Sequence, residues 1–145
     1  MTQTRWMTIL GWTISGLVFV FLFADAIMKL LALAPVLEAG EQLGFPSADI
    51  NRVLGLILFV CALFAAIPRT ALLGSVLVTA YLGGAIATQL RVGAPLYSHV
   101  LFGVYLGAAM WLGLLMRRPN IRALFLARTY RPGAKADIRF IAATR

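Results

Sequence analysis

The sequence is poor in the residues that build metal and redox centres. It contains one cysteine, Cys61, and one histidine, His99, among 145 residues. A single cysteine excludes a disulfide within the chain, a CxxC redox pair and a cysteine-based zinc site. The sequence also lacks a glycine-rich phosphate-binding loop, a Ser/His/Asp set and a flavin, haem or cluster ligation pattern. We therefore predict no catalytic residues, no metal and no firmly held cofactor, and a redox role would need a partner or a directly bound quinone.

Charged residues are scarce as well. They make up 12% of the chain, whereas hydrophobic residues make up 61%, and soluble domains have about a quarter and about half respectively. The mean hydropathy is +0.90. A soluble fold of this composition would expose large apolar patches to water and aggregate. The composition therefore predicts an all-α integral membrane protein.

Four apolar stretches are long enough to span a bilayer, which takes about 20 residues. They cover residues 8–34, 51–67, 70–90 and 96–116. The links at 68–70 and 91–95 are short, so consecutive helices must lie side by side. We predict a four-helix antiparallel bundle within residues 1–118, followed by a basic cytoplasmic tail at 119–145. The longer link before the second span could hold a short interfacial helix.

The placement of lysine and arginine predicts the orientation, because cytoplasmic loops carry most of the positive charge. If the N-terminus is cytoplasmic, every lysine and arginine lies on that side except Lys29, Arg52 and Arg91. Both termini are therefore predicted to be cytoplasmic. Anionic lipid attracts each nearby cation by about 1 kcal/mol, so lipid at the basic tail explains the net charge of +8 without nucleic acid.

Several segments resemble the DoxX-like family of small four-helix membrane proteins. In chain order the matching segments are "SGLVFVFLFADAIMKL", "LGFP", "LGLILFVCALFAAIPRTALLG", "AYLGGAIATQLRVGAP" and "WLGLLMRR". Together they extend over about residues 15 to 118. The resemblance implies a multi-pass four-helix bundle in the cytoplasmic (inner) membrane of a bacterium. Some relatives are tied to quinol oxidation and sulfur oxidation, and members often carry histidine where this chain has Gln89.

Asp25 and Lys29 interrupt the first apolar stretch. They are four residues apart, so they share one face of a helix, with the acid in the favoured N-terminal position. An isolated charge at the bilayer centre costs about 2.5–3.5 kcal/mol on insertion scales. Pairing the two charges, or turning Asp25 into the bundle, lowers that cost. Two interpretations stay open: a salt bridge that fixes helix packing, and a proton or ligand site facing a cavity.

Other polar residues lie at the same predicted depth on the remaining spans. With the ion pair they form a candidate polar pocket that opens outward: Asp25, Lys29, Asn51, Arg52, Thr88, Gln89, Arg91, Tyr97 and His99. The alternative is that helix ends are polar simply because they meet headgroups and water.

Small residues recur on the third and fourth spans. Ala80 and Gly84 are four residues apart, as are Gly103 and Gly107. Small side chains let helix backbones approach closely in lipid. This spacing favours packing between these two helices, and a homodimer face is the alternative.

These features leave three functional hypotheses. The first is a non-enzymatic membrane subunit or small binding module with an outward-facing polar pocket. The second is an accessory protein for quinone or quinol-linked redox chemistry. The third is a small oligomeric transporter. Four spans are few for a transport path, so a dimer would have to build it.

Overall fold

The computed structural model of the chain describes residues 5–118 and residue 121, and this part is helical with no strand. The helices are α1 (Arg5–Leu30), α2 (Ala34–Gln42), α3 (Ala48–Ala66), α4 (Ala71–Arg91) and α5 (Leu101–Arg117), the last preceded by a π-helical turn, Leu96–Val100. Among the described residues, α1, α3, α4 and the π turn with α5 are long and apolar enough to cross a membrane. The prediction of an all-α chain with four such helices is confirmed. Except for residue 121, the predicted basic tail at 119–145 lies outside the described residues.

Helix α1 ends four residues before the first predicted span does. Ala32 has a φ of +50°, and the backbone N–H groups of Ala32 and Leu33 donate to the carbonyls of Lys29 and Met28 at 3.1 and 3.2 Å. This arrangement is a Schellman motif with alanine in the left-handed position that usually carries glycine. Because the residues from Leu31 to Ala34 are all apolar, hydropathy alone could not locate this end.

Helix α2 is the short helix expected in the longer link. Pro35 lies in its first turn, where a missing backbone N–H costs nothing. Its C-terminal end turns back at Gly44, whose φ is +82°, and the N–H of Phe45 donates to the carbonyl of Gly40 at 2.7 Å. Helix α2 contacts α1 and α3. It therefore covers one end of the spanning helices.

Each spanning helix contacts two others. Within the described part, α1 packs against α3 and α5, α4 packs against the same two helices, and the backbones of the diagonal pairs do not approach each other closely. We call the end that carries α2 and the α4–α5 link the pocket end. The opposite end, the terminal end, carries the start of α1, the α3–α4 turn and the end of α5. There a Cβ on Gly11 would lie 2.9 Å from the Cβ of Met116.

Close approaches at glycine bring the helices together. A Cβ on Gly74 in α4 would lie 2.0 Å from the backbone nitrogen of Ala65 in α3. A Cβ on Gly55 would lie 2.7 Å from the Cβ of Lys29 in α1. In lipid, apolar side chains gain little by meeting each other, so close backbone contact is a main source of helix association. The α1–α3 and α3–α4 contacts depend on these glycines.

The small residues predicted to pack α4 against α5 divide into two groups. A Cβ on Gly103 would meet the Cγ1 of Ile86 at 2.9 Å, and one on Gly107 would meet the Cδ1 of Leu82 at 3.6 Å. Gly84 has open space instead, with nothing within 4 Å of a built Cβ. It lines a cavity together with Ala80. The pattern of small residues marks both close contact and empty space, and spacing does not distinguish them.

The half of the protein toward the terminal end is tightly packed. Its fully buried side chains include Val78, Ser75 and Leu114, each at most 1% exposed, and alanines such as Ala62 and Ala65 are wholly buried. Large apolar side chains such as those of Trp6, Leu17 and Leu73 are exposed on the outside of the helices. That arrangement suits a protein whose outer surface meets lipid.

Candidate functional site

A cavity of about 570 Å³ lies at the pocket end. Residues of α1, α2, α3, α4, the π turn and α5 line it, and its volume is in the range typical of small-molecule sites. The buried side chains of Leu22 and Leu58 form part of its wall toward the packed half. Most of the remaining wall is apolar, including Met28, Val36, Leu54, Phe102 and Leu106.

The two charged interruptions of α1 both face this cavity. The Lys29 ammonium donates hydrogen bonds to both carboxylate oxygens of Asp25. The side chains are 20% and 28% exposed, respectively, so neither is deeply buried. The four-residue spacing on one helix makes this contact possible without any tertiary partner. The pair therefore adds two opposite charges, and no net charge, to the wall.

Six of the nine residues predicted for the polar pocket line the cavity. They are Asp25, Lys29, Asn51, Thr88, Gln89 and His99.

The other three lie outside it, and each has a structural reason. Arg52 is exposed and pairs with Asp49 one turn earlier on α3 at 2.9 Å. Arg91 is exposed and donates from Nη2 to the Leu43 carbonyl at 2.6 Å. Tyr97 is 79% exposed. Depth along the helices does not say which face a side chain occupies, so it could not separate these three residues from the six that line the cavity.

Asn51 anchors the link between α2 and α3 beside the cavity. Its side chain is buried, with the residue 3% exposed, and Nδ2 donates to the carbonyls of Phe45 and Ser47 at 3.3 and 3.1 Å. A Cβ on Gly40 of α2 would lie 2.7 Å from the same nitrogen. The amide thus fastens the α2–α3 link to α3 at the point where α2 rests.

Three polar groups of the cavity wall are available to a ligand. Within residues 5–118, the hydroxyl of Tyr81 and the amide of Gln89 make no hydrogen bond. His99 shares a hydrogen bond between its Nδ1 and the Ser98 hydroxyl at 2.7 Å, which leaves Nε2 open. By contrast, the Thr88 hydroxyl already donates to the Gly84 carbonyl at 2.8 Å.

Tyr81 is the cavity residue that sequence reasoning missed. It lies halfway along α4, inside an apolar stretch. A signal was present, because Tyr81, Gly84 and Thr88 follow a spacing of three and four residues and so share one helix face. Phe21 and Phe102 were also missed. Their rings pack edge to face at 5.1 Å between α1 and α5 and line the cavity.

A smaller cavity of about 270 Å³ adjoins the first between α2 and the α4–α5 link. The two share Ala39, Leu43, Gln89 and His99 in their walls. The backbones of α2 and α4 do not approach each other closely within the described part, although Arg91 at the end of α4 donates to the Leu43 carbonyl just after α2. We call the region where Gln89 and His99 line both cavities the mouth of the larger cavity.

No group of three or more metal-ligating His, Cys, Asp or Glu side chains occurs among the described residues. The fold and the cavity define the class: a multi-pass helical membrane protein with a small-molecule-sized cavity at one end of its helices. The chain belongs to the DoxX-like family, whose sequence model matches residues 13–113, and the resemblance seen in the sequence is thereby confirmed. No curated protein and no solved structure matches the chain.

Proposed function

We propose that this protein is a non-enzymatic binding module of a bacterial cytoplasmic membrane. Its spanning helices form a four-helix antiparallel bundle with both termini in the cytoplasm, so that the pocket end faces outward. One observation carries the proposal. A cavity of ligand size has apolar walls and a few open polar groups, which is the usual composition of a small-molecule site.

The packing toward the terminal end favours binding over passage. A transported molecule would have to leave the cavity through the layer that contains Val78, Met110 and Leu114, which are at most 3% exposed. Interiors packed in this way have few voids larger than a water molecule. A small oligomeric transporter would therefore need a path built between two copies of the chain.

A quinone or quinol is the second candidate, and the Phe21–Phe102 pair favours it. Aromatic rings pair with ring centroids about 4.5–7 Å apart, and this edge-to-face pair presents apolar ring surface beside the cavity. The chain would then serve as a redox accessory that holds the ring while a partner supplies the electrons. Extraction of the purified protein with organic solvent would release a quinone in stoichiometric amount.

Partners beyond lipid belong to the same proposal. The chain could act as a subunit of a membrane complex or as a homodimer, and the basic residues after Met116 would bind anionic lipid on the cytoplasmic side. Native mass spectrometry from lipid nanodiscs reports subunits, lipids and small ligands together.

Two neighbouring glycines of α4 allow a matched test of ligand binding. Both Gly83 and Gly84 have open space around a built Cβ, but only Gly84 lines the cavity. In native mass spectra we expect the wild type and Gly83→Trp to retain a small molecule that is not a phospholipid. Gly84→Trp, which fills the cavity, should lose it. Equal occupancy in all three proteins, or a cavity that is empty in all three, would overturn the proposal.

A further inference from the structure

The charges and hydrogen-bonding groups of the cavity wall specify the kind of molecule that fits. Resting on the proposed binding function, we infer that the cavity selects a neutral amphipathic molecule whose hydrogen-bond acceptor, a carbonyl or ether oxygen, meets the Tyr81 hydroxyl. The inference depends on which polar groups are already satisfied and which remain open.

The charged groups are satisfied by each other. Both carboxylate oxygens of Asp25 accept from Lys29, and apart from His99 at the mouth, the described lining residues include no other side chain that can carry charge besides the phenol of Tyr81. Because the two charges cancel, the pair offers no net charge to offset that of an anion or a cation in the cavity. Either ion would also lose its hydration in an apolar cavity, which costs several kcal/mol.

The open groups are neutral. The Tyr81 hydroxyl makes no hydrogen bond within residues 5–118, while its ring packs against the buried core. Tyr81 lies eight residues before Gln89 on α4, which is about 12 Å deeper along the helix. A phenol that lacks a partner beside apolar walls favours any ligand that brings an acceptor to it. Gln89 and His99 remain at the mouth for a second polar group.

Three naphthalenes of similar size test the charge preference. They are the neutral ketone 2-acetylnaphthalene, the anion 2-naphthoate and the cation 2-naphthylmethylammonium. The full chain is reconstituted in nanodiscs, and binding is measured by equilibrium dialysis with binding to empty nanodiscs subtracted. Cavity binding is the part that Gly84→Trp removes and Gly83→Trp retains. We expect the ketone to bind the cavity at least about tenfold more tightly than either ion, because of the hydration that the ions lose.

Two tyrosine-to-phenylalanine variants test the hydrogen bond between the ligand and the Tyr81 hydroxyl. Tyr81→Phe should weaken cavity binding of the ketone about fivefold, the loss expected for one hydrogen bond. Tyr105→Phe on α5 is the matched control, because Tyr105 is 56% exposed and lies outside the cavity lining, and it should leave binding unchanged. Equal effects of the two variants would overturn the role of Tyr81.

Loss of charge selection and loss of ligand binding give different results in these measurements. If the naphthoate or the ammonium binds the cavity as tightly as the ketone, the charge selection is wrong and the binding function stands. If Gly84→Trp changes the binding of none of the three probes, the binding function itself fails.

Discussion

At the residue scale, the Asp25–Lys29 pair is the most informative feature of the chain. Two opposite charges one helical turn apart lower the cost of placing either one in a membrane span. The sequence predicted that they share a helix face, and the structure adds that this face meets a cavity. The spacing could not reveal the cavity, because α2, α3 and α4 supply its other walls from distant parts of the sequence.

A double-mutant cycle measures the coupling between these two residues. We expect Lys29→Met to lower the free energy of unfolding by about 2 kcal/mol, since the short Asp25 side chain then has no counter-charge. Asp25→Asn should cost about 1 kcal/mol, because an unpaired Lys29 can extend toward the pocket end. The double variant should lie within about 1 kcal/mol of the wild type, since replacing both members of a pair removes the unpaired charge. Unfolding in mixed detergent micelles gives all four values, and strictly additive losses would contradict the pairing.

At the scale of elements, glycines determine how closely the helices approach. The sequence predicted the four long apolar helices, because each is a long run of apolar residues, although it did not locate the end of α1. It indicated only some of the close contacts, however, namely those of Gly103 and Gly107 with α4. The spacing drew attention to Gly84, which faces open space, and missed Gly74, whose neighbour is backbone from α3. A repeat of small residues identifies a smooth helix face but does not identify the partner.

Two glycines of α4 give a controlled test of this packing. Gly74→Ala should destabilise the protein by about 2 kcal/mol or more, because the new methyl group would meet the backbone of Ala65, which cannot move aside cheaply. Gly83→Ala should be neutral or stabilising by up to about 1 kcal/mol, since alanine is the better helix former and the space is open. Unfolding curves of the two variants make the comparison. A loss of similar size in both would indicate that helix flexibility, and not close contact, explains the glycine at position 74.

The packing of helix α2 depends on the buried side-chain amide of Asn51. Asn51→Ala would leave the carbonyls of Phe45 and Ser47 without their side-chain donor, at a cost of about 1–3 kcal/mol. We expect faster hydrogen–deuterium exchange across residues 34–46 in this variant. Arg52→Ala is the control, since Arg52 is exposed on the same helix and its loss should leave the exchange unchanged. Unaltered exchange in Asn51→Ala would show that α2 is held by other contacts.

At the scale of the whole molecule, composition and charge placement predict most of the proposed architecture. The high apolar content and four long stretches predicted a multi-pass helical protein, and the helices and the family match agree with that prediction. The site was predicted only in part. Residues such as Gln89 and Asn51 were selected from their depth along the spans. The contributions of Tyr81 and of α2 to the cavity depend on which helix faces meet, which the sequence does not show.

Cysteine accessibility in intact cells tests the central claim, an outward-opening cavity in a protein whose termini are cytoplasmic. The native Cys61 is buried and is replaced by alanine, and one new cysteine is placed either at Gln89, at the cavity mouth, or at Arg69, in the α3–α4 turn. The account predicts that a membrane-impermeant thiol reagent added outside labels Gln89→Cys at once. It predicts that the same reagent labels Arg69→Cys only after the membrane is permeabilised. Labelling of Arg69→Cys from outside while Gln89→Cys stays protected would contradict it.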